Sequence, residues 1–208
     1  MDRAAADPRI NLIDMRADLK AAKRGGLKIW HQTDFHWTDP AGGLAAHKIL
    51  AKIGALEGKP ELARSFRYDI TPMPGLSGGQ ARFLPLFKVP KENSIGVKPV
   101  SPTTTYDIQY GKDGIEVQGV ATPGQPDRFQ PILVYGDSYF DALIRAGFLN
   151  MFQSYVRARL DDEDLLNAYR HRKPGTRYML LEGIYINQAH VNRWAKALTA
   201  ALEKDPSL

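Results

Sequence analysis

The chain reads as an α/β protein: a three-layer sandwich of helices around a parallel sheet, interrupted by an irregular insertion that carries a β-hairpin. Three observations predict this. Short apolar runs alternate with segments of helical periodicity near both ends of the chain. The run Ile132-Leu133-Val134-Tyr135 is continuously apolar, as expected of a strand covered on both faces. Between residues 58 and 130 the regularity gives way to prolines at 72, 74, 85, 90, 99 and 102.

The elements follow in order. Asp14 to Arg24 has the pattern of a short helix stopped by Gly25-Gly26. Leu27-Lys28-Ile29-Trp30 is a strand candidate that runs into the segment holding Asp34 and His36. A helix is expected from about Asp39 to Leu56, with Thr38 as N-cap and Pro40 in the first turn. Leu44, His47, Ile49, Leu50 and Ile53 supply much of its apolar spacing. Within 58–130, Thr103 to Ile108 and Ile115 to Val120 form the expected hairpin around Gly111-Lys112-Asp113-Gly114.

After the strand at 132–135, the residues Phe140, Leu143, Ile144, Phe148, Met151, Phe152 and Tyr155 fit one amphipathic helix. A further helical turn or two is expected over Asp161 to Tyr169. Tyr178-Met179-Leu180-Leu181 is another buried strand candidate. A final helix runs from Gln188 to Leu202, with Val191, Trp194, Leu198 and Leu202 on one face. No internal repeat or low-complexity tract interrupts the chain.

At 208 residues the chain is long enough to bury one good core, and its composition is ordinary for a globular protein. No apolar run approaches a membrane-spanning length. The first eight residues lack the apolar segment of a secretion signal. Two readings follow: a cytoplasmic protein, or a chain that has lost its leader. With zero cysteines, disulfides, thiolate metal sites and cysteine nucleophiles are excluded. The net charge is +5, with basic clusters at Lys20, Lys23 and Arg24, at Arg157 and Arg159, and at Arg170, Arg172 and Lys173. These read as solvated helix faces, or else as attraction to a polyanion.

Two short stretches carry the chemistry. Thr33-Asp34-Phe35-His36-Trp37 offers a carboxylate and an imidazole two residues apart. In extended backbone they would face one way, with Phe35 turned toward the core. The carboxylate would then fix the imidazole tautomer and leave the other ring nitrogen free as a base. Tyr135-Gly136-Asp137-Ser138-Tyr139 places a hydroxyl where a strand would turn into a helix. Open α/β sheets hold ligands at that end, and N–H groups of the following turn could receive an oxyanion. Each stretch also has a plain structural reading. Ser138 with Asp141 has capping-box spacing, and His36 could be a core histidine held by its neighbour. His31, Asp34, His36 and Asp39 are also metal-ligand types, but a metal site would leave Gly136-Asp137-Ser138 unexplained. Leu76-Ser77-Gly78-Gly79-Gln80 matches the signature pentapeptide of ABC-transporter ATPases. The chain lacks the phosphate-cradling loop such an enzyme needs, so this tract is expected to be a turn before a helix near Ala81.

Together, Thr33-Asp34-Phe35-His36-Trp37-Thr38 and Gly136-Asp137-Ser138-Tyr139-Phe140 resemble the alginate O-acetyltransferase family of AlgJ and AlgX. Those are SGNH-hydrolase-like domains in which the histidine motif precedes the serine motif, the reverse of ordinary SGNH esterases. The same order occurs here. The resemblance implies one such domain over 1–208, with 58–130 as an insertion and further sequence upstream of Met1. It implies Ser138 as nucleophile, His36 as base and Asp34 as the partner that orients it. It implies acetyl transfer onto hydroxyls of a bacterial exopolysaccharide in the periplasm, through an acetyl-serine, with no cofactor and no metal. A membrane-bound acetyl-donating protein would be the partner, and no nucleic acid is expected. Two other readings stay open on the residues: an SGNH-type carbohydrate esterase or deacetylase, and a polysaccharide- or polyanion-binding domain in which Ser138 only caps a helix.

Overall fold

The computed structural model describes residues 10–83, 88–103, 105–112, 115–123, 127–159 and 165–183, with isolated positions between 196 and 203. Among these the helices are α1 (Arg16–Arg24), α2 (Asp39–Glu57), α3 (Pro60–Ser65), α4 (Gly79–Phe83), α5 (Asp141–Arg145) and α6 (Leu165–Arg170). The strands are β1 (Arg67–Leu76), β2 (Glu92–Ser101), β3 (Tyr106–Lys112), β4 (Ile115–Ala121), β5 (Ile132–Gly136), β6 (Ser154–Arg159) and β7 (Tyr178–Glu182).

The main sheet has the order β3-β4-β6-β5-β7. It is mixed, which corrects the expectation of a parallel sheet. β5 lies parallel to both β6 and β7, whereas β6 pairs antiparallel with β4, and β4 with β3. The reason lies in the hairpin. β3 and β4 do form close to the expected positions, but they extend the sheet beyond β6 rather than standing apart from it. The segment 58–130 is also more regular than its prolines suggest. β1 and β2 pair antiparallel as a separate two-stranded sheet. Among the described residues each of these strands has one unpaired edge, where a proline can sit without removing a ladder hydrogen bond.

β5 divides the interior. Ile132 and Val134 belong to the larger core, with Phe140, Leu143 and the α2 residues Leu50 and Ile53. Leu133 and Tyr135 belong to a second core with Ile115, Val156, Ala158 and Ala168. All five β5 residues are buried, so the run without polar side chains is covered on both faces as the sequence predicts.

Helix α2 has the expected extent, but its packing rests on small residues as much as on large ones. Leu44 is only half-buried and His47 is exposed, while Gly42, Gly43, Ala45 and Ala46 are buried. A Cβ on Gly42 would lie 2.5 Å from the Cβ of Ala142, so this glycine lets α2 and α5 approach closely. Thr38 occupies the N-cap position without capping: its hydroxyl donates to the Lys28 carbonyl at 2.6 Å.

Two further expectations are corrected. Leu27 to Trp30 is not a strand; its only ladder contact is an isolated bridge between Trp30 and Trp37. The single helix expected after Ser138 is broken into a 3₁₀ turn at Ser138–Phe140, α5, and a second 3₁₀ turn at Phe148–Met151. Gly147 breaks it, with φ +91° in the left-handed region. Tyr155 therefore sits in β6, a strand hidden from a pattern reading by its two arginines. Arg157 is buried, not on a solvated helix face, and it pairs with Asp141 and Glu116. The strand at Tyr178 is present, but its side chains alternate between half-buried and exposed. The helix expected over 188–202 lies outside the described residues apart from isolated positions.

Candidate active site

Ser138 lies two residues past Gly136, the last residue of β5, with Asp137 between them. Strand pairing on both sides fixes Gly136, opposite Arg159 on β6 and Glu182 on β7. The chain then turns into the 3₁₀ segment, and the residue that caps it is Asp137. The Asp137 side chain accepts from the Tyr139 N–H at 2.8 Å. Ser138 therefore does not serve as the cap, and Asp141, the other member of the supposed capping box, bonds Arg157 instead. The Ser138 hydroxyl points elsewhere, to the imidazole of His36: Oγ lies 2.8 Å from Nε2.

The other half of the site is built differently. Residues 32–36 form a series of bends, not an extended strand. Asp34 Oδ1 accepts from the His36 backbone N–H at 3.0 Å and lies 2.6 Å from Nδ1 of the same ring. A carboxylate can only accept, so Nδ1 carries the proton and Nε2 is left to accept from Ser138. The turn also reverses the expected direction of Phe35. Its ring is 43% exposed and lies 4.2 Å from the His36 ring, centroid to centroid. The Tyr139 hydroxyl donates to the Phe35 carbonyl at 2.6 Å, and Trp37 Nε1 donates to the Tyr139 carbonyl at 2.9 Å. These two bonds tie the histidine turn to the serine turn.

The structure thus brings Asp34, His36 and Ser138 into one hydrogen-bonded chain. It sends His31 and Asp39 elsewhere: His31 Nδ1 lies 2.7 Å from Ser94 Oγ, and Asp39 pairs with Arg145. Among the described residues no group of three metal-ligand side chains converges.

Two contributors were not legible as site residues. The first is the tract that imitates an ATPase signature. The Gly78 N–H donates to Thr33 Oγ1 at 2.9 Å, and the Gly79 N–H donates to Asp34 Oδ2 at 2.6 Å. A Cβ on Gly78 would fall 2.5 Å from both the Asp34 Cβ and the Thr33 carbonyl, so only glycine fits. The paired glycines were the available signal. Burial tends to raise the Asp34 carboxyl, but donation from Gly79, then from His36, outweighs it and holds the group down at about 2. The second is Glu182, at the end of β7 beside Asp137. Burial, reinforced by the neighbouring Asp137 charge, pushes its carboxyl up to about 9.

The expected oxyanion donors are mostly engaged. The Tyr139 N–H is taken by the Asp137 side chain and the Phe140 N–H by the Asp137 carbonyl. Among the described residues, the Ser138 N–H is the amide of this turn without a partner.

No family model and no curated protein sequence matches the chain. Solved structures do. A DHHW family protein from Eubacterium siraeum superposes with a TM-score of 0.57 at 15% identity, over 88% of this chain and 69% of that one. Bacillus cereus PatB1 with a sulfonyl adduct superposes with a TM-score of 0.56 at 14% identity, over 85% of this chain and 66% of that one. The O-acetyltransferase domain of Pseudomonas putida AlgJ aligns at a TM-score of only 0.38, too low to carry weight. The likeness to the first two is one of fold. The chain spans about two thirds of their length, 69% and 66%.

Proposed function

We propose that this chain is a serine-dependent O-acetyltransferase of SGNH type, working through an acetyl-serine intermediate. The observation that carries the reading is the continuous contact from Asp34 through His36 to the Ser138 hydroxyl, 2.6 Å and 2.8 Å. The two stretches that supply it share no element, yet their polar groups meet in the order nucleophilic catalysis requires. A cap or a core histidine would need neither contact.

In the first half-reaction Ser138 Oγ attacks the carbonyl carbon of an acetyl ester while His36 Nε2 takes the hydroxyl proton. Asp34 holds the ring and stabilises its positive charge. The carbonyl oxygen becomes an oxyanion, and the free Ser138 N–H is a suitable donor toward it. Collapse expels the alcohol, which receives the proton from Nε2, and leaves acetyl-Ser138. In the second half-reaction Nε2 takes a proton from an acceptor hydroxyl, that oxygen attacks the acetyl carbon, and Ser138 regains its proton on leaving. General-base assistance of this kind contributes about 10²–10⁴-fold.

The acceptor is proposed to be a sugar hydroxyl of a bacterial exopolysaccharide. Supporting this, Trp30 and Phe35 lie 47% and 43% exposed beside the site, and both rings neighbour Tyr139. Exposed aromatic faces next to reactive polar groups suit the C–H face of a sugar ring. Periplasmic placement and a membrane-bound acetyl donor belong to the same proposal. The neighbour with a sulfonyl adduct supplies a probe, because sulfonyl reagents label activated nucleophiles.

The test is intact-mass analysis after brief exposure to an activated acetyl ester, and separately to a sulfonyl fluoride. One adduct, mapped to Ser138 and absent in Ser138→Ala and His36→Ala, is expected. A folded protein that takes up neither reagent overturns the proposal. Oligosaccharide is then added to the acetyl-enzyme: acetylated sugar sustains the transferase, and free acetate alone replaces it with an esterase.

A further inference from the structure

The imidazole is aimed by Asp34, and Asp34 sits on a turn with no strand to hold it. What fixes that turn lies at the start of β2. Glu92 is 6% exposed, and its Oε1 accepts three hydrogen bonds: from the Gln32 N–H at 2.7 Å, the Thr33 N–H at 2.7 Å and the Thr33 hydroxyl at 2.8 Å. Its Oε2 accepts from Lys28 Nζ at 2.5 Å. The Thr33 hydroxyl in turn accepts from the Gly78 N–H, and the next residue along each segment makes the Gly79-to-Asp34 contact. One buried carboxylate therefore gathers residues 28, 32 and 33, and a hydroxyl relays its position to the loop that grips Asp34.

We propose that Glu92 is a positioning residue for acyl transfer: it fixes the 32–34 turn, and with Thr33 it sets the aim of Asp34 at His36. The inference rests on the reading of Asp34, His36 and Ser138 as an acyl-transfer centre, which contains neither Glu92 nor Thr33. Its physical basis is preorganisation. A backbone segment without a ladder keeps its place only through the groups that satisfy its N–H donors. A shift of about 1 Å in a catalytic group costs on the order of 10²-fold in rate. Burial would raise the Glu92 carboxyl, but donation from Lys28 and then from Thr33 and Gln32 holds it at about 2, so it stays ionised and accepting through the neutral range.

Three variants test this: Glu92→Gln, Thr33→Val, which removes the relaying hydroxyl at nearly constant shape, and Thr33→Ser, which restores it. The first readout needs no catalysis. The proton between His36 Nδ1 and Asp34 gives a low-field NMR resonance, assigned by its loss in Asp34→Asn. Glu92→Gln and Thr33→Val should shift or broaden it, and Thr33→Ser should keep it. Ile53→Val, a core change that lowers stability without touching the turn, should also keep it. The second readout is acylation by an activated acetyl ester: kcat falls about 10–10²-fold in Glu92→Gln and Thr33→Val with KM nearly unmoved, and Thr33→Ser recovers it. A resonance and kcat unchanged in both Glu92→Gln and Thr33→Val overturn the positioning role while leaving the acyl-transfer reading intact. A resonance that responds as expected in a protein that never forms an acyl adduct supports the positioning of the turn and overturns the acyl-transfer reading instead. Should Glu92→Gln fail to fold, the Thr33 pair decides alone.

Discussion

The two halves of the site are held by different physics. The Ser138 half hangs from β5, a strand hydrogen-bonded on both sides and buried along its whole length. The His36 half is an irregular turn whose polar groups are satisfied one at a time: main-chain groups by Glu92 and the Tyr139 hydroxyl, and the Thr33 and Asp34 side chains by the N–H groups of Gly78 and Gly79. The first is over-determined, since a cooperative ladder shares any local loss among many bonds. The second depends on single contacts, so each is worth more to geometry than to stability. Regular structure places the hydroxyl, and a polar network places the imidazole.

The comparison makes graded predictions. Ser138→Ala and His36→Ala should each cost about 10⁴-fold or more in acyl transfer, with melting temperatures close to wild type, because each removes a reacting group and no scaffold. If either loss is small, the two halves do not act as one unit. Asp34→Asn should cost about 10³–10⁴-fold, by presenting an amide that favours the wrong tautomer of His36. Activity that stays high would show that Asp34 is dispensable and would break the comparison on its polar side.

The two glycines probe the packing of the histidine turn. Gly78→Ala forces a Cβ against Asp34 and the Thr33 carbonyl, at 2.5 Å. It should cost about 1–3 kcal/mol in chemical denaturation and a larger share of activity. Gly79→Ala, where the new Cβ stays 3.5 Å from Asp34 Oδ2, should be tolerated by comparison. Removing the tie between the halves with Tyr139→Phe should cost about 0.5–1.5 kcal/mol, as one part-buried hydrogen bond is lost.

The pH behaviour should differ by half as well. On the strand side, the folded protein keeps the Glu182 carboxyl protonated up to about 9, while an unfolded chain releases that proton near its ordinary 4.5. The folded state therefore binds more protons between those values, and this contribution to stability is lost as pH rises. Glu182→Gln should flatten the decline, measured as a difference in melting temperature that grows from acid toward alkaline buffer. On the turn side, Asp34 has the opposite sign. Its folded value of about 2 lies below the ordinary 3.8, so its contribution is present above that range and is lost as pH falls through it.

Much of this was written in local patterns. The helix α2 was legible because Pro40 and the apolar spacing to Ile53 agree on its start and extent. The strand β5 was legible because a run with no polar member must be covered on both sides. Asp34, His36 and Ser138 were legible as reactive types in short motifs, and the structure brings all three together. Other features misled. Arg157 and Arg159 concealed β6, because a sequence gives no sign that these charged side chains will find Asp141 and Glu116 as partners. Gly147 ended a helix that periodicity carried through to Tyr155, since one residue in the left-handed region outweighs a favourable apolar pattern.

The sequence by itself determined which groups could do chemistry and that the strand β5 would lead to the serine, because residue type and hydrophobic period act over a few neighbours. Only the tertiary structure decided that Asp137 and not Ser138 caps the turn, that Phe35 faces outward, and that Glu92 and the Gly78-Gly79 pair hold the histidine segment. The last of those outcomes depends on which donor meets which acceptor across some 45 to 60 residues of chain, as with Gly79 and Asp34 or Glu92 and Thr33. A hydrogen bond is specific only once its partners are in place, and no local pattern records that meeting.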